Sequence, residues 1–192
     1  MRKIGVLGAS FNPPTFGHKS VILQALTYFD ELLLVPSLKH PFNKPLAPFL
    51  QRLLMIQIFI DCLPETARKK VQLFNVEGML LSDKSRKYIY TFDVLQKLQR
   101  YYEIIGELVQ LRFVIGPDNA KNSTWKKFYQ YQEIDKRWPP FVVKEDVKTH
   151  SEQVRAGIKK FKSNPVQLRK VLAPMLDEAM IHYIIRNKLY VE

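Results

Sequence analysis

A short apolar strand that runs into a glycine and a proline-rich turn, just ahead of a helix, restricts this chain more than any other feature. Ile4-Gly5-Val6-Leu7 is an apolar run with β-branched residues, read as a buried strand. Gly8-Ala-Ser-Phe-Asn-Pro-Pro-Thr-Phe-Gly-His18 follows, after which Val21, Ile22, Ala25, Leu26 and Phe29 share one helical face. Gly8 has no Cβ, so an anionic group can come close to the backbone where the strand ends. Thr15 is the expected N-cap, which sets Gly17 and His18 in the first turn beside free N–H groups and the positive end of the helix dipole. Such a turn accepts an anion without further help. An isolated histidine is more often a capping or packing group, but this context makes His18 a candidate ligand-facing residue.

The size of the chain suits one domain over residues 1–192, with a core over 1–148 and a small helical part over 149–192. A domain of this length buries about 70% of its unfolded surface and needs no covalent staple. Cys62 is the only cysteine, so a disulfide framework and a cysteine-rich zinc site are both excluded. Its apolar neighbours Ile58, Phe59, Ile60 and Leu63 predict a packed thiol. With neither a signal-peptide pattern nor about eighteen consecutive apolar residues, the expected location is cytoplasmic and no membrane partner is expected. The net charge of +12 favours polyanionic partners without naming one.

Further along, Leu32-Leu33-Leu34-Val35, Val71 to Val76, Leu111 to Ile115 and Pro139 to Val143 are strand-length runs separated by helical spacing. Five such alternations predict a parallel sheet covered by helices on both faces, a doubly wound α/β fold. Right-handed crossovers place every loop that follows a strand at one edge, where open sheets bind ligands. Lys39, Lys44, Lys121, Lys148 and Arg155 all follow strands, so their charge is expected at one crevice. The Pro-rich loop 37–48 also carries His40, and reads either as a stiffened connection or as a basic binding loop. Thr91 is a plausible N-cap for the helix containing Val94, Leu95 and Leu98, and Arg52 reads as a surface or ion-paired arginine. Trp125 can stack on a flat ligand ring or simply pack. The stretch 77–90, with Lys84, Arg86 and Lys87, is the hardest to assign.

Several of these segments share a pattern. Thr15-Phe16-Gly17-His18 resembles the (H/T)xGH signature of the nucleotidyltransferase superfamily, and the string from Gly8 to His18 is similar to the nicotinate and nicotinamide mononucleotide adenylyltransferases. Lys44 falls where that family has the lysine of its proline-rich loop, and Arg52 with Met55 resembles its Arg-x-x-Met. Tyr90-Thr91-Phe92-Asp93 resembles Tyr-Thr-x-Asp, Gly116-Pro117-Asp118 resembles Gly-x-Asp, and Trp125 matches a tryptophan bordering the nicotinate pocket. Residues 149–155 resemble a phosphate-binding Ile-Ser-Ser-Thr-x-Ile-Arg: Ser151, Val154 and Arg155 match, while Thr149, His150 and Glu152 depart from it. The segment Leu172 to Tyr190 is similar to the family's closing helix and Leu-Tyr pair.

The resemblance implies a Rossmann-like five-stranded sheet and transfer of AMP from ATP to a pyridine mononucleotide, with release of pyrophosphate. It implies a catalytic set of His18, Lys44 and Arg155. ATP would be held by Gly8, Ser10, Phe11, Thr15, Gly17, Gly116, Asp118 and Ser151, and the mononucleotide by Asn12, Thr91 and Trp125. Mg²⁺ would arrive on the ATP phosphates, with no protein metal cage. The first rival is another nucleotidyltransferase of the superfamily, for instance one acting on phosphopantetheine. The second is a non-catalytic, basic nucleic-acid-binding protein, although nucleic acid is not the expected partner. The sequence leaves oligomeric state open.

Overall fold

The computed structural model describes residues 1–38, 45–76 and 89–191. Five strands, β1 (Arg2–Ala9), β2 (Glu31–Pro36), β3 (Val71–Leu73), β4 (Val109–Ile115) and β5 (Phe141–Val142), pair in parallel in the order β3-β2-β1-β4-β5. The sheet is doubly wound, as the alternation predicts. Strand order reverses between β1 and β4, and the crevice outside their carboxyl ends is where such sheets take ligands. Gly8 to Ser10 and Gly116 to Asp118 stand at that crevice.

The alternation of side chains along each strand divides the interior in two. Leu7, Leu32 and Leu34 enter one apolar cluster, while Ile4, Val6, Leu33 and Val35 enter the other. The first cluster is covered by α1 (Phe16–Ala25), α2 (Phe49–Asp61), α8 (Ser151–Phe161), α9 (Pro165–Leu172) and α10 (Glu178–Arg186). The second is covered by α4 (Thr91–Ile104), α6 (Asn122–Trp125) and α7 (Tyr131–Arg137). Burial of each large aliphatic side chain here contributes about 1.5–3 kcal/mol, which explains runs without polar residues on the inner strands. Gly5 is required by this packing: a Cβ there would sit 2.6 Å from Leu32 Cδ1 and 2.9 Å from the Phe29 ring. Two further short helices among the described residues are α3 (Glu65–Arg68) and α5 (Pro117–Ala120). Among the described residues, no helix is long and apolar enough to cross a membrane.

Some boundaries differ from the sequence reading. The third strand ends at Leu73 instead of Val76, and the fifth is two residues long. Tyr90, not Thr91, is the N-cap of α4: it has the extended backbone (φ −104°, ψ 159°), and its N–H donates to Asp93 Oδ2 at 3.0 Å. Thr91 is therefore the first helical residue.

Candidate active site

The turn after β1 is built from its own residues. Thr15 caps α1 with extended backbone, and its N–H donates to Nδ1 of His18 at 3.1 Å. An Nδ1 that accepts leaves the ring proton on Nε2, so the imidazole offers an N–H donor on its far side. Burial, and secondarily the nearby His150, hold the His18 pKa down to about 4, so the ring is neutral at neutral pH. The Phe11 ring, 5.2 Å from the imidazole, supplies part of that apolar contact. Phe11 itself takes φ +47°, which turns the chain sharply while its side chain stays in the core.

The start of α8 is fastened onto this turn. The Thr15 hydroxyl donates to the Thr149 carbonyl at 3.0 Å, the Ser151 hydroxyl to Pro13 O at 2.7 Å, and the Arg155 guanidinium to Asn12 O at 2.6 Å. The approach is so close that a Cβ on Gly17 would lie 2.4 Å from Thr149 O. This contact is why residue 17 is glycine, and it brings His18, Ser151 and Arg155 to one place although 130 or more residues separate the two segments.

Two candidate residues at this junction, Ser151 and Asn12, take roles other than those the resemblance implies. The Ser151 hydroxyl proton is committed to Pro13 and is not available to donate to a phosphate. Asn12 is 1% exposed and its side chain faces protein on every side. Nδ2 donates to Pro45 O at 3.1 Å, while Oδ1 accepts from Ala47 N–H at 3.0 Å and from the Tyr190 hydroxyl at 2.9 Å. The side chain thus ties chain segments together instead of facing a mononucleotide.

Arg52 differs from the surface or ion-paired arginine that its sequence position suggests. It is 1% exposed, and it donates to the carbonyls of Ala47, Ser10, Ser37 and Leu38, so it holds the ends of β1 and β2 to the loop beyond. The signal in the sequence was its position inside an apolar helix, where a surface arginine has no solvent to reach.

The β4 side is organised differently. Gly116 caps α5, and Asp118 is exposed, 2.6 Å from Lys121 Nζ. The hydrogen bond from Lys121, reinforced by its charge, holds the Asp118 carboxyl below the usual range. Lys121 is therefore paired locally, and Lys148 is exposed. Lys39, His40 and Lys44 lie outside the described residues, as does most of 77–90. Trp125 is 7% exposed, stacked on Phe113 at 6.5 Å and tilted against Phe128 at 4.9 Å, with Nε1 donating to Asp135 at 3.0 Å. It is a core residue here and presents no open face to a ring. His150, which replaces a hydroxyl residue of the family pattern, pairs with Glu145 at 3.3 Å.

A five-stranded parallel, doubly wound sheet, with a neutral histidine in the first turn of α1 and an arginine of α8 bonded to the turn ahead of it, defines an α/β protein of the Rossmann-like class. The chain belongs to the cytidylyltransferase-like family, whose model matches residues 6–159. It is 31% identical over 137 residues to an Anaeromyxobacter dehalogenans protein named "probable nicotinate-nucleotide adenylyltransferase", covering 69% of this chain and 67% of that one. The alignments to the first curated relatives span 57% to 67% of their lengths. A Vibrio parahaemolyticus protein described as a "putative nicotinate-nucleotide adenylyltransferase" superposes with a TM-score of 0.75 at 28% identity, covering 100% of this chain and 97% of that one. The Plasmodium falciparum nicotinic acid mononucleotide adenylyltransferase complexed with NaAD gives 0.73 at 17% identity over 99% and 98%, a likeness of fold.

Proposed function

We propose that this chain is an adenylyltransferase that moves AMP from ATP to the 5′-phosphate of nicotinate (or nicotinamide) mononucleotide, forming a dinucleotide of NAD biosynthesis. The observation that carries this reading is His18, with Nδ1 taken by the Thr15 N–H and Nε2–H left as a donor, on a turn whose Asn12 carbonyl accepts from Arg155 of α8. The names of the relatives favour the nicotinate form.

The chemistry asks little of the protein in bond making. An oxygen of the mononucleotide phosphate attacks the α-phosphorus of ATP in line, and the bond from that phosphorus to pyrophosphate breaks. A phosphate monoester has a second pKa near 6, so the nucleophile is already ionised and no general base is needed. What the site must supply is alignment of two anions and stabilisation of charge in the transition state. A neutral His18 supplies a fixed hydrogen bond, while Arg155 supplies charge; Lys44, from the proline-rich loop, would add to it. A bound polyphosphate opposes the depression of the His18 pKa. Gly8, Ser10, Phe11, Thr15 and Gly17 form the wall of the phosphate site in this reading. Gly116 and Asp118 would face the nucleotide ribose, and Thr91 the pyridine end. Mg²⁺ would travel on the ATP oxygens and neutralise their charge; among the described residues, no three His, Cys, Asp or Glu side chains are placed to hold a metal.

The test is pyrophosphate release from ATP with nicotinate mononucleotide, nicotinamide mononucleotide and phosphopantetheine offered in turn. Release with the nicotinate form, at the highest kcat/KM of the three, is expected. Release with phosphopantetheine alone would overturn the acceptor assignment. No release with any acceptor, together with salt-sensitive binding to RNA or DNA, would overturn catalysis altogether.

A further inference from the structure

We propose that Tyr190 is a positioning residue for the phosphate-binding turn and acts through Asn12. Asn12 joins four separate parts of the chain. Its side chain bonds Pro45 and Ala47 from the loop ahead of α2, its carbonyl accepts from Arg155 of α8, and its Oδ1 accepts the Tyr190 hydroxyl at 2.9 Å. The turn on which His18 and Arg155 depend is therefore held from behind by a phenol that follows α10, 178 residues away.

Three observations separate this bond from ordinary packing. The acceptor is buried at 1% exposure, so the hydroxyl cannot be replaced there by bulk water without opening the core. The backbone at the phenol is itself constrained: beyond the left-handed cap that Lys188 forms for α10, Tyr190 has φ +64°, a region that non-glycine residues enter uncommonly and that its surroundings hold here. The phenol also stands within the field of Arg52 and Arg155, the two guanidiniums that grip the ends of the turn, while burial pushes its own pKa up, so it stays a donor at neutral pH. Met55 Sδ, 3.8 Å from the hydroxyl, completes its polar surroundings. A hydroxyl aimed at the side chain that ties the turn to the loop ahead of α2 sets where the turn sits, not merely how stable the fold is.

The kinetic arm of the test rests on the transfer reaction proposed above; the exchange arm does not. Tyr190→Phe removes the hydroxyl and keeps the ring. It is expected to lower kcat roughly fivefold to tenfold, as for the loss of one hydrogen bond, with both KM values within twofold of wild type. Amide hydrogen exchange is expected to quicken at Ser10, Phe11, Asn12, Thr15, Leu46 and Ala47 while the rest of the protein keeps its protection. Tyr183→Phe is the control: that hydroxyl bonds Gln51 of α2 and does not touch the turn, so both readouts should stay at wild type. Unchanged exchange at the turn, or faster exchange spread over the whole fold, would overturn the proposal, as would a kcat within twofold of wild type. If the wild-type protein transfers AMP to no acceptor, the reaction assignment fails, and the exchange pattern alone still decides the role of Tyr190.

Discussion

The two walls of the crevice are built on opposite plans. On the β1–α1 side, polar groups of residues 10–18 are tied down by buried or half-buried bonds from distant parts of the chain: Thr149, Ser151, Arg155, Arg52 and Tyr190. On the β4–α5 side, Asp118 and Lys121 are exposed and bonded mainly to each other, with Trp125 withdrawn into the core. The difference teaches where pre-organisation is placed. Charge development at a phosphorus gains most from donors whose positions are already fixed, so the rigid wall is the one suited to it. A ribose or a base can be held by groups that adjust, and an exposed carboxylate on a short helix is such a group.

Breaking the rigid wall at its centre should have the largest effect. His18→Ala is expected to lower kcat by roughly 10² to 10⁴, measured as pyrophosphate release, with the circular dichroism spectrum unchanged. The same variant sharpens the comparison through pH. The His18 pKa in the folded protein, about 4, lies below its unfolded value of 6.5, so the unfolded chain binds the proton first. That contribution to stability is complete above pH 6.5 and is lost as pH falls from there towards 4. Urea unfolding between those limits should show the slope in wild type and a shallower one in His18→Ala.

A smaller effect is expected where the two segments of the rigid wall meet. Gly17→Ala sets a methyl group 2.4 Å from Thr149 O, a backbone atom that can move only by separating α1 from the start of α8. A loss of about 1–3 kcal/mol in urea unfolding is expected, accompanied by a fall in kcat. If the variant keeps both, the contact is not what seats Ser151 and Arg155. The smallest effect belongs to the open wall. Asp118→Asn should leave the melting temperature unchanged, because its exposed ion pair with Lys121 adds little, while raising the KM for ATP. A fall in kcat of the His18→Ala size would erase the distinction between the walls.

Much of this was legible without coordinates because it is local. The strand at Ile4, the Thr15 cap, and His18 in the first turn all follow from neighbours within a few residues, where propensity and capping chemistry decide. The cap of α4 is less legible, because Tyr90 and Thr91 both precede Asp93 and only the backbone decides that Tyr90 is the cap. The role of Arg52 is not legible at all, because a helical face says which side is apolar, not whether carbonyls from two strand ends converge on the exception.

By itself, then, the order of residues determined the alternation of strands and helices, the parallel sheet and the start of α1 at its Thr15 cap, since periodicity and capping act over a few ångströms of contour. Only the tertiary structure decided which groups surround that helix start. Asn12 turned inward because Tyr190 and Ala47 reach it, Trp125 was taken into the core by Phe113 and Phe128, and Gly17 was fixed by a carbonyl 132 residues away. Hydrogen bonds and packing are satisfied in space, and a residue that looks ready for a ligand in the linear chain is available to one only if the fold has not already used it.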